Sequence, residues 1–401
     1  MEIKIKENKY GIPLDTLIAI GKRANNPKRN FLFISKVLGK HLEVYPDICK
    51  AAGYILSGIR YESVSPALLT YLQNPRKANV MVKAELNKKF SPVNPPLVIG
   101  FAETATGLGM AVASSIQHSV YYCTTRERNI ADTQKLFSFE EEHSHATTHL
   151  CYDKLHTNFS DFKEIILVDD EITTGKSMLN LIKKLAEKTP VKKISILTIL
   201  DWRRKEHINA YEKTSKETGI DIQVYSLLSG VIKDLSKEVY EDDTENILVK
   251  EPAKPIFPIT TLERTKENLF ELEGRFGITE KNISKLEKKC KYIASKIQKK
   301  VIVAEKKKIL VLGDGENIYI PSRVASYLEM YGHDVRFRST TRSPIYCDGT
   351  VIRDKYKYYN SEEEPFYLYN REDLEKYDRV IFLPEKDVPY VFSSNTSTVI
   401  L

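Results

Sequence analysis

The segment that most constrains the fold is EIILVDDEITTGKSMLNLI, residues 164–182. Its four apolar residues, 165–168, are long enough for a buried parallel strand, and an amphipathic stretch with helical spacing begins at Met178. The letters GKS resemble the end of a nucleoside-triphosphate loop. The first glycine of such a loop would fall at Asp170, however, where a carboxylate repels phosphates. We therefore expect an α/β protein in which a strand ends in acids and turns into a helix.

This turn offers two binding chemistries close together. A helix N-terminus with free N–H groups and neighbouring hydroxyls binds a monophosphate. Carboxylates bind sugar hydroxyls and a hydrated Mg²⁺ ion, which prefers a few carboxylates together with substrate oxygens. The pattern predicts a ribose 5-phosphate ligand, and the residues expected to contact it are Asp169, Asp170, Glu171, Thr173, Thr174, Gly175, Lys176 and Ser177.

Residues 165–177 resemble the fingerprint of type I phosphoribosyltransferases: four apolar residues, two acids, two mostly aliphatic positions, Thr, Thr, Gly, any residue, and Ser or Thr. Only Glu171 departs from it, which leaves open a further metal or hydroxyl contact. The resemblance implies that 5-phosphoribosyl-1-pyrophosphate is the donor. Asp169 and Asp170 would hold the ribose hydroxyls and influence Mg²⁺, and residues 173–177 would hold the 5′-phosphate. A chance turn of this kind in another α/β protein is the alternative.

The chain length predicts two domains, because 401 residues exceed one domain of ordinary size. No apolar run approaches the roughly 20 residues of a membrane helix, and the first residues lack a secretory pattern. The five cysteines form no C-x-x-C pair, which argues against a disulfide framework and indicates a cytoplasmic protein. The net charge of +7 fits a solvated basic face better than nucleic-acid binding. We expect a homodimer that binds small molecules.

A second strand–loop–helix unit is predicted in PPLVIGFAETATGLGMAVASSI, residues 95–116. In a parallel sheet both loops emerge at the carboxyl edge, where open α/β sheets bind their ligands. The resemblance implies that Glu103, Thr104 and Ala105 hold pyrophosphate through backbone amides. Turns rich in Gly and Thr follow strands in many folds, so this signal is weaker than the first.

A histidine-rich stretch lies between the two units, and half of the eight histidines fall within residues 143–156. The resemblance implies a mobile lid here. Arg126 and Arg128 would meet pyrophosphate, while Glu141, His143 and His145 would handle protons or the acceptor. A histidine pair at i and i+4 leaves a transition-metal site as an alternative, and a polar surface loop is the third interpretation.

The acceptor pocket is expected between residues 20–60 and residues 201–204. Trp202, the only tryptophan, offers an aromatic face to a base, although such residues also pack in cores. The first segment carries basic residues around an apolar run. They either line an anionic site or flank a core element, and they are Lys22, Arg23, Lys28, Arg29, Lys36, Lys40 and His41.

A second α/β unit is predicted in KKKILVLGDGENIYIPSRVASYLEMYGHDVRFRSTTRSPI, residues 306–345. It departs from the dinucleotide fingerprint, since Ile318 stands where the last glycine is required. Hydroxyls and a guanidinium in one turn form an anion cradle, which we expect to bind independently of the first domain. In the alternative, the arginine pairs with Asp314 or Glu316. The expected site residues are Gly313, Gly315, Thr341, Arg342 and Ser343.

With this unit the chain resembles bacterial proteins in which a TRSP domain follows a phosphoribosyltransferase domain. The matching blocks are NPKRNFLFISKVLGKH, EEEHSHATTH, DDEITTGKS and TTRSPI. Such proteins are associated with tellurite-resistance and stress-response gene clusters. We expect a first domain at 1–229 and a TRSP domain at 230–401, with a helical connecting part at 230–300 and an α/β part at 301–401.

The sequence and the resemblance together predict a phosphoribosyltransferase-type parallel sheet domain followed by a second α/β domain. The expected activity is Mg²⁺-dependent transfer of phosphoribose to an unidentified base-like acceptor, with release of pyrophosphate. One alternative is a regulator that binds the same donor without catalysis. The other is a pyrophosphokinase, which requires an ATP site that the sequence does not display.

Overall fold

The computed structural model describes residues 2–24, 29–126, 130, 133–140, 148–233, 239–241, 246–248, 250, 262–266, 269–302, 306–360, 362–386, 388–399 and 401. No helix in these ranges is long and apolar enough to cross a membrane.

The first part of the chain alternates strands and helices. Its elements are β1 (Glu2–Glu7), α1 (Leu14–Leu17), β2 (Ile18–Arg23), β3 (Phe31–Ser35), α2 (Ile48–Arg60), α3 (Pro66–Gln73), α4 (Val80–Glu85), β4 (Leu97–Gly100), α5 (Thr106–Ser114), β5 (Val120–Cys123), β6 (Gln134–Glu140), β7 (Thr148–Asp153), β8 (Glu164–Ile172), α6 (Lys176–Lys188), β9 (Lys193–Asp201), α7 (Lys205–Thr218) and β10 (Asp221–Lys233).

The second part contains a long helix, a further parallel sheet and a small mixed sheet. Its elements are β11 (Asn246–Ile247), β12 (Ile278–Thr279), α8 (Glu280–Lys300), β13 (Lys308–Gly313), α9 (Tyr319–Glu329), β14 (Asp334–Ser339), β15 (Ile345–Tyr346), β16 (Lys355–Tyr359), β17 (Pro365–Tyr369), β18 (Arg379–Phe382) and β19 (Thr396–Thr398).

The large sheet has the order β1-β10-β9-β8-β4-β5-β12. Its strands from β10 to β5 run parallel, while β1 and β12 join the edges antiparallel. Residues 165–168 of β8 are fully buried, as expected for a strand covered on both faces. The predicted parallel α/β sheet is confirmed.

The turn from β8 into α6 depends on Gly175, which has φ +71°. A Cβ atom at this position would overlap the hydroxyl of Tyr211, which also donates a hydrogen bond to the Gly175 carbonyl. Glycine is therefore required both by the left-handed backbone and by the close approach of the ring. The helix then buries one face through Met178, Leu181 and Ile182.

The second sheet has the order β14-β13-β18-β19, with all neighbours parallel. Its central strand is buried from Ile309 to Leu312. The chain passes from β13 through α9 to β14 on one side and later places β18 on the other side. The predicted second α/β unit is therefore present.

The two parts share sheets as well as a core. β12 pairs with β5, and β15 pairs with β2 in a sheet of order β15-β2-β3. Val44 and Phe337 form a further bridge, and one apolar cluster includes residues of both parts. The division that we predict after residue 229 falls within β10.

A buried ionic cluster also joins the two parts. Arg323 of α9 donates to Asp47 at 2.7 Å and to Glu287 of α8 at 2.8 Å, and Lys83 donates to Asp47 as well. Burial by itself raises the pKa of Asp47, but the charges of Arg323 and Lys83 outweigh it and hold the pKa well below its usual range. The carboxylate is therefore ionised and paired at the contact between α2, α4 and α9.

Candidate functional site

A cavity of about 430 Å³ lies where the carboxyl ends of β4, β5 and β8 meet. The hairpin of β2 and β3 and the loop after β14 complete its wall. The lining residues include Arg23, Arg29, Leu32, Phe33, Ser35, Lys40, His41, Phe101, Ala102, Glu103, Thr104, Arg126, His149, Asp169, Asp170, Glu171, Ile172, Thr173, Thr174, Gly175, Lys176, Ser177, Met178, Arg342, Ser343, Pro344, Glu364 and Pro365.

The end of β8, the turn after it and the start of α6 supply one wall, which contains every residue that we expect from the sequence to contact ribose phosphate. The backbone N–H of Asp170 donates to the carboxylate of Asp169 at 2.9 Å, which fixes the first acid against the second. Burial raises the pKa of Asp170, although Asp169 and the charge of Lys40 act in the opposite direction. A cation or a hydroxyl donor beside Asp170 would lower the free energy of its ionised carboxylate and so oppose the effect of burial on the pKa.

Glu171, the position that departs from the fingerprint, faces the hairpin. Its Oε1 accepts a hydrogen bond from Arg29 at 2.7 Å, and its buried Oε2 has no hydrogen-bond partner among the described residues. Burial raises its pKa, while Arg29 lowers it. Glu171 thus offers one unused oxygen to the cavity.

The loop between β4 and α5 supplies the neighbouring wall. Lys40 donates to the hydroxyl of Thr104 at 3.0 Å, and the Ala102–Glu103 peptide bond is cis. Glu103 lines the cavity, with only 5% of its surface exposed. Ala105 lies beneath the wall instead, and its N–H donates to the carbonyl of Phe101 at 3.0 Å. Its N–H is therefore engaged in the turn that precedes α5.

Arg126 of the expected lid reaches the cavity, and its backbone N–H donates to Glu316 at 2.9 Å. Arg128, Glu141, His143 and His145 lie outside the described residues. His149 lines the cavity, and its Nδ1 lies 3.0 Å from the hydroxyl of Thr124. Within the described ranges no group of three or more His, Cys, Asp or Glu residues is arranged to hold a metal ion.

A family model described as a phosphoribosyl transferase matches residues 17–231, more than half of the chain. The protein belongs to the phosphoribosyl transferase family. A second model, described as the TRSP domain C-terminal to that transferase, matches residues 272–391. The resemblance to this two-domain architecture is confirmed, and the protein is an enzyme of the glycosyltransferase type.

Among solved structures, adenine phosphoribosyltransferase of Trypanosoma brucei is 12% identical, and the match covers 57% of this chain and 84% of that one with a TM-score of 0.31. The adenine phosphoribosyltransferase of Leishmania donovani is 18% identical, with 54% and 78% covered and a TM-score of 0.29. That of Thermoanaerobacter pseudethanolicus is 20% identical, with 37% and 76% covered and a TM-score of 0.22. A comparison with curated proteins found no significant match.

The loop that follows β14, residues 340–344 and here called the TRSP loop, lies at the transferase pocket. Arg342 and Ser343 line the cavity, so the structure differs from our expectation of a separate second-domain anion site. The reason is that β14 and β8 both direct their carboxyl ends at the same space. Gly313, Gly315 and Thr341 are buried behind this wall, where Gly315 packs against Phe366.

Arg342 pairs with acids, as the alternative interpretation requires. Its Nη2 lies 3.0 Å from Glu364, its Nη1 lies 3.6 Å from Glu316, and its guanidinium covers the ring of Phe366 at 4.8 Å. Asp314 instead accepts hydrogen bonds from Tyr358 at 2.8 Å and Thr340 at 3.0 Å. The TRSP arginine is thus held in a fixed position at the edge of the pocket.

Trp202 of the transferase domain lies away from the cavity. It is 2% exposed, its ring centre is 5.3 Å from that of Phe33, and it covers Gly230. The residue follows β9 and points into the space between β10 and the hairpin, where a large apolar ring is best buried. Trp202 therefore does not offer its ring to the cavity, as the predicted stacking role requires.

The basic segment before α2 contributes both to the pocket and to its support. Arg23, Arg29, Lys40 and His41 line the cavity, and Lys36 donates to the carbonyl of Asp15 at 2.7 Å. Lys22 lies over the ring of Tyr240, and Lys28 is outside the described residues. The sequence did not indicate Glu364 and Pro365 as pocket residues, since no motif marks a residue whose role depends on domain contact.

Proposed function

We propose that this protein transfers the phosphoribosyl group of 5-phosphoribosyl-1-pyrophosphate to a base-like acceptor and releases pyrophosphate. One observation carries the proposal: the β8–α6 loop and the β4–α5 loop line a single cavity. The first loop combines ribose-binding carboxylates with a helix N-terminus, and the second offers a polar turn for a diphosphate.

Each end of the donor has residues suited to it. Asp169 and Asp170 would accept hydrogen bonds from the ribose hydroxyls. Thr173, Thr174 and Ser177, with the N–H groups at the start of α6, would hold the 5′-phosphate, because that helix end carries a partial positive charge. The sugar would then lie with its C1′ atom directed toward the β4–α5 loop.

The residues present fit Mg²⁺ carried by the substrate. The pocket has several carboxylates, the pKa of Asp170 is raised by burial, and one oxygen of Glu171 has no hydrogen-bond partner among the described residues. Mg²⁺ prefers one or two carboxylates plus substrate oxygens and water. When bound, it would neutralise the diphosphate and favour its departure.

The chain's own groups would stabilise charge separation. As the bond between C1′ and the diphosphate oxygen breaks, positive charge develops on the ribose, and the carboxylates of Asp169 and Asp170 would lie on that side. The electron pair leaves with pyrophosphate, beside Lys40 and Arg126. The acceptor nitrogen then bonds to C1′ and loses a proton.

His41 is a candidate to orient the acceptor by accepting a hydrogen bond from its N–H group. Burial lowers its pKa well below 6.5, and the charge of Lys40 lowers it further, so the imidazole is neutral at physiological pH. Neither ring nitrogen has a hydrogen-bond partner among the described residues, and the side chain lines the pocket. A neutral imidazole has one nitrogen able to accept a hydrogen bond, while the lowered pKa makes it a weak base.

The proposal is tested by incubating purified protein with the donor, Mg²⁺ and a panel of nucleobases, while pyrophosphate release and base depletion are measured. Release that depends on one base supports the transferase. Donor binding without pyrophosphate release favours a non-catalytic regulator. Formation of the donor from ribose 5-phosphate and ATP identifies a pyrophosphokinase, and either outcome contradicts the proposal.

The cellular setting is a second part of the proposal. The resemblance of the sequence blocks to proteins of tellurite-resistance and stress-response clusters supports a role in those responses. Deleting the gene should lower tellurite tolerance, and a pocket variant that no longer binds the donor should fail to restore it. Full restoration by that variant would contradict a role based on phosphoribosyl transfer.

A further inference from the structure

The carboxyl edges of two different sheets meet at the transferase pocket. Residues 169–177 span the carboxyl end of β8 in the large sheet and the turn into α6, and residues 342–344 follow β14 of the second sheet. Ligands of open α/β sheets bind at such edges. Both domains therefore build the wall of this pocket. The residues that the TRSP domain contributes are placed to contact the same ligand as the transferase residues.

Cations from three separate segments converge near Glu103 on the β4–α5 loop. They are Lys40 before α2, Arg126 after β5 and Arg342 after β14, and all three line the cavity. Burial by itself raises the pKa of Glu103, but the charges of Lys40, Arg342 and Arg126 and a hydrogen bond from Thr341 hold it below the usual value. The TRSP loop is thus in direct contact with the loop that we assign to the diphosphate.

The position of Arg342 is fixed from two sides. Glu316, 3% exposed, lies behind it, and Glu364, whose side chain is 39% exposed, lies at the mouth of the pocket. A guanidinium has five N–H donors in a planar fork that matches phosphate oxygens. The exposed partner is the one that a phosphate oxygen can replace, because water already competes for that ion pair.

We propose that Arg342 of the TRSP domain binds the pyrophosphate group of the donor, together with Lys40 and Arg126 of the transferase domain. This inference rests on the proposed function and adds a residue to it from another domain. The second domain completes the transferase site and stabilises the leaving group as its charge develops. It follows that the two domains form one active site.

The test measures dissociation constants of the full-length protein for pyrophosphate, the donor and ribose 5-phosphate by calorimetry in the presence of Mg²⁺. Arg342→Ala should weaken binding of pyrophosphate and the donor at least about tenfold, as expected for a charged hydrogen bond. Ribose 5-phosphate, which lacks the diphosphate, should bind as before. Arg353→Ala is the matched control, since Arg353 pairs with Asp373 at 2.6 Å and does not line the pocket.

A second variant keeps Arg342 in place. Glu364→Gln removes the carboxylate that competes with phosphate and should tighten pyrophosphate binding. Unchanged pyrophosphate binding in both variants overturns the proposal. An equal loss for all three ligands in Arg342→Ala also overturns it, because Arg342 would then only pin the loops. If Arg342→Ala does not fold, Glu364→Gln decides the question.

Wild-type binding separates this inference from the function on which it rests. Binding of pyrophosphate but not ribose 5-phosphate would contradict the transferase proposal and leave the Arg342 assignment standing. Binding of ribose 5-phosphate but not pyrophosphate would overturn the Arg342 assignment alone.

Discussion

The carboxylate of Glu316 in the TRSP domain accepts a hydrogen bond at 2.9 Å from the backbone N–H of Arg126 in the transferase domain. Its other oxygen accepts the hydroxyl of Thr125 at 2.6 Å. Glu316 is 3% exposed, so water competes little for these bonds. The segment that carries Arg126 into the pocket is therefore held from the TRSP side.

Glu316→Ala should lower the free energy of unfolding by about 3 to 5 kcal/mol, because it leaves buried cationic and polar groups without their acceptor. Donor affinity should also fall, since Arg126 is released. Glu316→Gln retains a carbonyl acceptor and should show smaller losses in both. Urea unfolding and calorimetry make the comparison, and equal stability of the Ala variant and wild type would contradict the assigned contact.

Asp170→Asn should abolish donor binding while preserving the fold. Because burial raises the pKa of Asp170, the ionised carboxylate costs stability at neutral pH, and the amide removes that cost. We expect an affinity loss of more than about tenfold with an unchanged or higher unfolding free energy. Asp161→Asn, at an exposed position, is the control. Unchanged donor affinity in a folded Asp170→Asn protein would remove Asp170 from the site.

Gly175→Ala should damage the phosphate-binding turn. The new Cβ would overlap the Tyr211 hydroxyl in addition to straining a backbone of φ +71°. Gly219→Ala is a matched control, because φ is +66° there and no atom lies within 4 Å of the added Cβ. The control should be destabilised only by the cost of placing alanine in the left-handed region, about 1 to 2 kcal/mol. Equal melting temperatures for the two variants would show that the Tyr211 ring moves aside without any loss of stability.

The stability of the TRSP domain should depend on the protonation of Asp314. Burial raises its pKa from 3.8 to about 6, although hydrogen bonds from Tyr358 and Thr340 oppose the shift. Between these pH values the folded protein binds the proton more tightly than the unfolded chain. The contribution of Asp314 to the unfolding free energy therefore falls as pH rises from 3.8 to about 6, and it is constant above that pH.

Asp314→Asn should remove this dependence on pH. Its unfolding free energy at pH 7 should exceed that of the wild type by about 3 kcal/mol. Burial also raises the pKa of Glu329, to about 7, so both proteins keep that contribution. The difference between their urea-unfolding curves from pH 4 to pH 8 isolates Asp314. A difference that does not change with pH would contradict the buried-acid explanation.

The β8–α6 turn was predictable because its information is contiguous in the sequence. A buried strand, two acids and a helix start occupy residues 165–177, so local rules suffice to place Asp169, Asp170 and Ser177 in one strand–turn–helix unit. The parallel sheet follows from two such units, since their loops must emerge at one edge.

Other features depend on contacts between distant segments. Trp202 is buried because Phe33 and Gly230 surround it, and neither neighbour is indicated by the sequence around residue 202. Arg342 shares a pocket with Asp170 only because the second sheet docks edge-on to the first. The two-residue strands β12 and β15 contribute to that docking, together with the shared apolar core and the buried ionic cluster, and such short pairings leave no periodic signal.

The pairing of β15 with β2 limits how the enzyme can be redesigned. Ile345 and Tyr346, directly after the TRSP loop, pair with Arg23 and Lys22 of the hairpin that forms another wall of the pocket. A chimera made by exchanging the carboxyl-terminal half between relatives would therefore join mismatched halves of one substrate chamber. Segments 18–35 and 340–346 should be exchanged together, because they pair with each other and line the same pocket.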